Sequence, residues 1–330
     1  MSLFDTLRAN LLSPIPLAFA LGVFARLIKS EFSLPKDLYT SLSIYLLFAL
    51  GLKGGYELSH ASFASIVFPA GATLLLGVVT PLSTYAAMRY VGRFGTSDAA
   101  GMAAHYGSVS AVTFIAAQQF TQRVGVPAEG FMPTLLTLLE SPGIHIALAI
   151  GAVQRNRATG IAAGSDGHRG IGTVLHEVLT GRTMVLLVGG LVVGFLAGEA
   201  GWKAVSPFFD SGFKGALMLF LLEMGIVAGA RFGDLKKVGP FLLGFGIVMP
   251  IIHGAIGVAL GHAAGLSVGG STVLGTMAAS ASYIAAPPAV RLTLPDANPT
   301  YSLTAALAIT FPFNILVGIP LYYRIAQLLA

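Results

Sequence analysis

The chain contains no cysteine. That excludes a disulfide framework and any thiolate metal site. Charge is scarce too. Only 10% of the 330 residues are Asp, Glu, Lys or Arg, against roughly a quarter in an ordinary soluble domain. The net charge of +5 is spread out, with no basic run interleaved with aromatics, which argues against a nucleic-acid partner. Catalytic signatures are missing as well. HEVL at 176–179 lacks the second histidine of a zinc-protease helix, and no GxSxG elbow occurs. His105, His145 and His253 stand alone on apolar segments and read as core or interface histidines. A membrane-embedded enzyme is therefore the weaker hypothesis.

What the chain has in abundance is apolar surface. Hydrophobic residues make up 55% of it and the mean hydropathy is +0.80. A soluble fold of this length has no single core large enough to hide that much. A span needs roughly 20 mostly apolar residues to cross about 30 Å of hydrocarbon. Ten such runs are present, at about 10–28, 38–55, 62–90, 97–118, 131–152, 183–200, 212–230, 238–264, 268–290 and 300–328. The fold class expected is an all-α integral membrane protein with ten transmembrane helices. The N-terminus is not read as a cleaved signal. Asp5 and Arg8 mix charges, Pro14 and Pro16 interrupt the apolar run, and the run continues into a full span.

Residues 153–182 are the one long polar stretch, rich in Gly and charge. The segment GSDGHRGIG within it resembles a phosphate loop only superficially, because no strand precedes it. It is read as a flexible linker. Lys and Arg in short loops set orientation. Thirteen of the 19 basic residues, Arg89, Arg93, Arg231 and Arg291 among them, fall on the linker's side, and six fall on the other. The expected topology has the linker in the cytoplasm and both termini outside, in a plasma (inner) membrane.

The second half repeats the first. ALGVFARLI at 20–28 matches VVGFLAGEA at 192–200, and YGSVSAVTF from 106 matches AASASYIAA from 278, both at an offset of 172. LFALGLKGG at 47–55 matches LLEMGIVAG at 221–229, offset 174, and each carries Gly-x-x-x-Gly, Gly51/Gly55 and Gly225/Gly229. SPGIHIALAIG from 141 sits against FPFNILVGIP from 311, with Pro142 over Pro312. The domains expected are a first repeat over 1–152, the linker over 153–182 and a second repeat over 183–330. Five spans per half is odd, so the second repeat enters the membrane upside down. Inverted repeats mark secondary transporters, with the site at their interface near the midplane.

The fourth and ninth spans carry Gly107, Ser108, Val109 and Ser110, and Ala279, Ser280, Ala281 and Ser282. Ser and Gly are poor helix-interior residues, so each helix is expected to open there. Two inverted spans that break and cross at these points aim two helix N-termini at one spot, where free N–H groups and dipoles hold an anion. Hydroxyls of Ser108, Ser110, Ser280 and Ser282 add donors, with Thr113 and Tyr283 as further candidates. Taken alone, such small residues also serve close helix packing; their symmetric pairing favours the site. Gly51/Gly55 and Gly225/Gly229 lack polar companions and read as packing motifs.

Two carboxylates lie within spans. Each costs about 2.5–3.5 kcal/mol on insertion scales and so calls for a partner or a role. Glu140, just before Pro142, offers hard oxygen beside an opened helix, a setting that suits an alkali cation. Asn314 offers a neutral oxygen in the matching place of the other half. Glu223 fits a satisfied structural carboxylate as well as a functional one. Asp98 opens the fourth span and suits a helix cap.

YGSVSAVTF (106–114), LLESPGI (138–144), ASASYIAAP (279–287), RLTLPDANPTYSL (291–303) and TFPFNILVGIPLYY (310–323) resemble the SbtA-type sodium-dependent bicarbonate transporters. The resemblance covers both halves in order. It implies a five-plus-five inverted repeat with crossed broken helices, a core and a gate domain, and a homotrimer. It also implies sodium-coupled bicarbonate uptake by an elevator-type movement, and control by a cytoplasmic PII-like protein. Bicarbonate is then expected between Gly107, Ser108, Val109, Ser110 and Ser280, Ala281, Ser282. Sodium, the coupling ion, is expected beside it, with Ser110, Thr113, Glu140, Ser282 and Asn314 as candidates. The competing reading is a sodium-coupled carrier of another small anion, a carboxylate, on the same architecture. No Lys or Arg falls at mid-span in the fourth or ninth run, which favours a small anion held by dipoles.

Overall fold

A computed structural model describes residues 3–159, 176 and 180–330. Most of the stretch read as a linker lies outside the described residues. Every regular element among the described residues is helical. Several helices are long and apolar enough to cross a membrane, including Lys36–His60, Phe63–Val91, Met132–Gly151 and Pro299–Leu329.

The runs map onto helices as follows. The first run lies in α1 (Leu3–Leu11) and α2 (Pro14–Leu27), which meet at a bend of 62°. Then come α3 (Lys36–His60) and α4 (Phe63–Ala86), the latter extended by a π-helical turn over Ala87–Val91. The fourth run is split into α5 (Thr96–Tyr106) and α6 (Ala111–Arg123). The fifth is split into α7 (Met132–Glu140) and α8 (Pro142–Thr159), so helix continues past position 152. Pro142 supplies the break, since it has no N–H to continue the α7 ladder and suits the first turn of α8.

In the second half, α9 (Arg182–Ser206) and α10 (Phe213–Arg231) are followed by α11 (Leu235–Ala263). Gly198 has φ of 59° and bends α9 near the end of its apolar run; a residue with a Cβ would resist that conformation. The ninth run is split into α12 (Val268–Ala278) and α13 (Ala286–Thr293). Pro287 and Pro288 fall in the first turn of α13, where a missing N–H removes no helical hydrogen bond. The last run, α14 (Pro299–Leu329), contains π-helical turns at Ala305–Thr310 and Asn314–Gly318.

Packing follows a regular pattern. Helix α2 lies along α10, and α3 along α9. Helix α4 packs on α5 and α8, as α11 packs on α12 and α14. The small residues explain the closeness of the first pair of contacts. A Cβ on Gly22 would collide with the Leu222 carbonyl, and one on Gly225 with that of Phe19. Likewise, a Cβ on Gly194 would collide with the Leu52 carbonyl, and one on Gly55 with that of Leu191. Backbone approach of this kind is how membrane helices gain van der Waals contact without a hydrophobic drive between them.

Candidate functional site

The two broken helices cross. Helix α6 packs on α12, and α5 on α13, so each half of one broken span meets the opposite half of the other. Backbone groups freed by the breaks need partners in a setting without water, and several find them across the crossing. Ser110 N–H donates to Ser280 Oγ at 2.9 Å. Ser282 N–H donates to the His105 carbonyl at 2.7 Å. Ser108 Oγ donates to the Glu140 carbonyl at 2.7 Å, at the end of α7. Asn314 Nδ2 donates to the Ala279 carbonyl at 2.9 Å, at the end of α12.

A serine hydroxyl meets backbone N–H groups at the start of both second halves, and Ser110 is the N-cap of α6. Ser110 Oγ accepts from Thr113 N–H at 3.3 Å and from Thr113 Oγ1 at 3.0 Å. Ser282 Oγ accepts from Ala285 N–H at 3.3 Å and Ala286 N–H at 3.4 Å. Ser110 Oγ also reaches the Tyr283 hydroxyl at 3.4 Å. The N–H groups of Ala111 and Val112 precede the first helical hydrogen bond of α6 and have no intrahelical acceptor.

A tight cavity of about 30 Å³ lies at this crossing. Its lining includes Val109, Ser110, Ala111 and Val112 from the first break, Ser282 and Tyr283 from the second, and Glu140. Helices α3 and α9 contribute Ser43 and Thr183. Glu140 is 2% exposed, and its Oε2 atom has no hydrogen-bond partner among the described residues. A buried carboxylate oxygen without a donor is costly unless a cation or proton meets it. No Lys or Arg lines the cavity.

Of the residues expected from the sequence, Val109, Ser110, Glu140 and Ser282 therefore share this one cavity. Thr113 stands behind Ser110. Ser280 and Ala281 are buried in the second break, with Ser280 holding Ser110 N–H. Gly107 lies against Pro81 and Gly143, and Ser108 faces the end of α7. Asn314 stands apart from the cavity. Its Oδ1 accepts from the Tyr322 hydroxyl at 3.0 Å, so both ends of the side chain are committed to holding α12 and α14. Ser43 and Thr183 were not singled out from the sequence; Ser43 is one of three neighbouring hydroxyls with Thr40 and Ser41, and Thr183 opens its apolar run, so neither carries a distinguishing local signal.

Glu223 and Asp98 have structural partners. Glu223 Oε2 accepts from Leu34 N–H at 3.0 Å, which ties the α2–α3 connection to α10. Asp98 Oδ1 accepts from Asn298 N–H at 2.8 Å, joining the start of α5 to the start of α14.

Two larger cavities flank the crossing. One, of about 320 Å³, is lined by Arg182, Met184, Ala285 and Pro288, and shares Ser43, Leu47, Glu140, Thr183 and Ile284 with the tight cavity. The other, of about 450 Å³, is polar, with Gln118, Gln119, Gln122 and the Lys53–Asp210 ion pair at 2.7 Å. It shares no lining residue with the tight cavity. The tight cavity thus shares five lining residues with the first of these and none with the second.

Residues 14–327 match the sequence profile of the Na+-dependent bicarbonate transporter superfamily. No curated protein matches the chain.

Proposed function

The chain belongs to the Na+-dependent bicarbonate transporter superfamily, and we propose that it is a sodium–bicarbonate symporter that works by elevator-type alternating access. The observation that carries this reading is the pair of contacting helix breaks beside the unpartnered Glu140 carboxylate. An anion binds at the break, where the Ala111 and Val112 N–H groups and the dipole of α6 supply positive potential. Sodium binds against Glu140 with hydroxyls of Ser110 and Ser282, and removes the repulsion the carboxylate would exert on the anion. Each ion then strengthens the binding of the other, as linkage requires.

The architecture behind this is a ten-span, five-plus-five inverted repeat. Its support is that contacts come in matched pairs. The α2–α10 contact answers to α9–α3, α4–α5 to α11–α12, and α6–α12 to α13–α5. Helices α2, α3, α9 and α10 form the gate. The broken helices with α4, α7, α8, α11 and α14 form the moving core. The basic-residue bias places the 320 Å³ cavity, with Arg182 beside the linker, toward the cytoplasm. The polar bowl with Lys53 and Lys214 then faces outside. An inward-facing conformation is the reading supported by the lining residues that the tight cavity shares with the 320 Å³ cavity and not with the polar bowl. The absence of Lys and Arg from the cavity lining favours a small, singly charged anion over a larger carboxylate.

The test is uptake of radiolabelled bicarbonate into proteoliposomes with and without an inward sodium gradient. Sodium-driven accumulation is expected. Equal uptake without sodium overturns the coupling, and competition by small carboxylates at similar concentration overturns the choice of anion.

A further inference from the structure

The tight cavity and the wide cytoplasmic-side cavity meet at a neck. Of the five residues that line both, only Ser43, Glu140 and Thr183 are polar. Glu140 belongs to the core, at the end of α7; Ser43 is on α3 and Thr183 on α9, both gate helices. An ion leaving the crossing by this route passes between one carboxylate and two hydroxyls.

These two hydroxyls differ from most others in the spans, and unlike the unpartnered Thr84, Thr134 and Thr304 they line both cavities. A serine or threonine in an apolar helix usually donates to the carbonyl four residues back. Thr73, Thr80, Ser83, Thr137, Thr272 and Thr276 all do so, at 2.7–3.0 Å. Ser43 and Thr183 make no such bond among the described residues and are 8% exposed. Ser43 has a helical carbonyl within reach, that of Tyr39, four residues earlier in α3. Thr183 sits in the first turn of α9, where no such carbonyl exists. Their hydroxyls are therefore not committed to a helical carbonyl, and both residues line the neck together with Glu140, whose Oε2 is unpartnered. Neutral hydroxyl and carboxylate oxygens are the hard donors that hard cations accept.

We infer that Ser43 and Thr183 are ligands of the coupling cation on its way out, taking it over from the Ser110 and Ser282 side while Glu140 keeps hold. This rests on the sodium-coupled reading above. It adds that the gate, and not the core alone, handles the cation in the inward-facing state. Sodium bound at the neck bridges the two units, so core movement follows its departure. That order prevents the core from returning with sodium aboard and bicarbonate lost.

The test uses the full-length protein in proteoliposomes, with sodium as the probe. The variants are Ser43→Ala, Thr183→Val, the pair together, and Thr183→Ser. Sodium dependence is measured from the cytoplasmic face by bicarbonate counterflow, with bicarbonate half-saturation measured at saturating sodium. The double variant is expected to raise the cytoplasmic-side sodium half-saturation about tenfold, the scale of losing a supporting ligand. Its sodium-over-lithium preference should change and its bicarbonate half-saturation should not. Thr183→Ser, which keeps the hydroxyl, should behave as the parent. Melting in detergent monitors folding, and Ser43→Ala alone carries the test if the pair does not assemble. A parent that is sodium-driven, with a double variant unchanged in sodium half-saturation, overturns this inference alone. A Thr183→Ser variant as impaired as Thr183→Val also overturns it, because shape rather than the oxygen would then matter. A parent that needs no sodium overturns the reading beneath it instead.

Discussion

Replacing Ser280 by alanine isolates the bond that joins the two breaks. Ser280 is 1% exposed and Ser110 is 5% exposed, and the Ser110 N–H has Ser280 Oγ as its acceptor at 2.9 Å. Ser280 Oγ also donates to the Met277 carbonyl at 2.8 Å, but that carbonyl accepts as well from Ser280 N–H at 3.1 Å. The substitution therefore orphans one group, the Ser110 N–H. An unsatisfied buried donor costs about 1–3 kcal/mol. Ser110 caps α6 and lines the cavity, so the loss falls on the alignment of the α6 N-terminus with the second break. If the whole cost is met when the site closes on its ions, bicarbonate half-saturation rises by about 5- to 150-fold. If it is met in the resting fold, the melting temperature in detergent falls instead. The two readouts together account for the energy. Ser280→Thr keeps the oxygen and serves as the control. A Ser280→Ala protein unchanged in both half-saturation and melting refutes the view that this hydrogen bond holds the crossing together.

Further expectations can be checked with the same preparations. Glu140→Gln keeps the shape and removes the charge. A unit charge about 4 Å away at an effective dielectric of about 20 is worth at most about 4 kcal/mol, so sodium half-saturation should rise tenfold or more; unchanged sodium dependence removes Glu140 from the site. Gly22→Ala should destabilise the protein by about 1–3 kcal/mol through overpacking, because its Cβ would meet the Leu222 carbonyl. Gly71→Ala on α4, with nothing within 4 Å of its Cβ, should melt at or slightly above the parent temperature. Glu223→Gln preserves an acceptor for Leu34 N–H and should transport as the parent does, while Glu223→Leu should lose about 1 kcal/mol of stability with half-saturations unchanged.

The positions of the helices were legible in the sequence because lipid leaves few options. A run of apolar residues long enough to span must satisfy its own backbone, and does so as helix. The breaks at 107–110 and 279–282 were legible for a related reason: serine and glycine weaken the helix at similar places in the two halves; the second gap runs on to 285. The glycine motifs were read as packing motifs, and the close contacts of Gly22, Gly55, Gly194 and Gly225 give that reading its geometry. Other features were less legible. Pro14 marks the bend between α1 and α2 and Gly198 permits the kink in α9, but the π-helical turns of α14 have no local signal.

The same division holds at the site. Composition and hydropathy determined by themselves that this is a helical membrane protein. They also brought Ser110, Glu140 and Ser282 forward, since polar groups in hydrocarbon demand a reason. Only the tertiary structure decided which of the candidates meet. Asn314 and Glu140 were both candidates for the cation, yet Asn314 is fully engaged with Ala279 and Tyr322 while Glu140 Oε2 is unpartnered beside a cavity. Ser43 and Thr183, ordinary hydroxyls in sequence, join the site because α3 and α9 pack beside the breaks. Hydrophobic patterning records the solvent each residue prefers; which polar atoms end within reach of one another depends on how the helices cross.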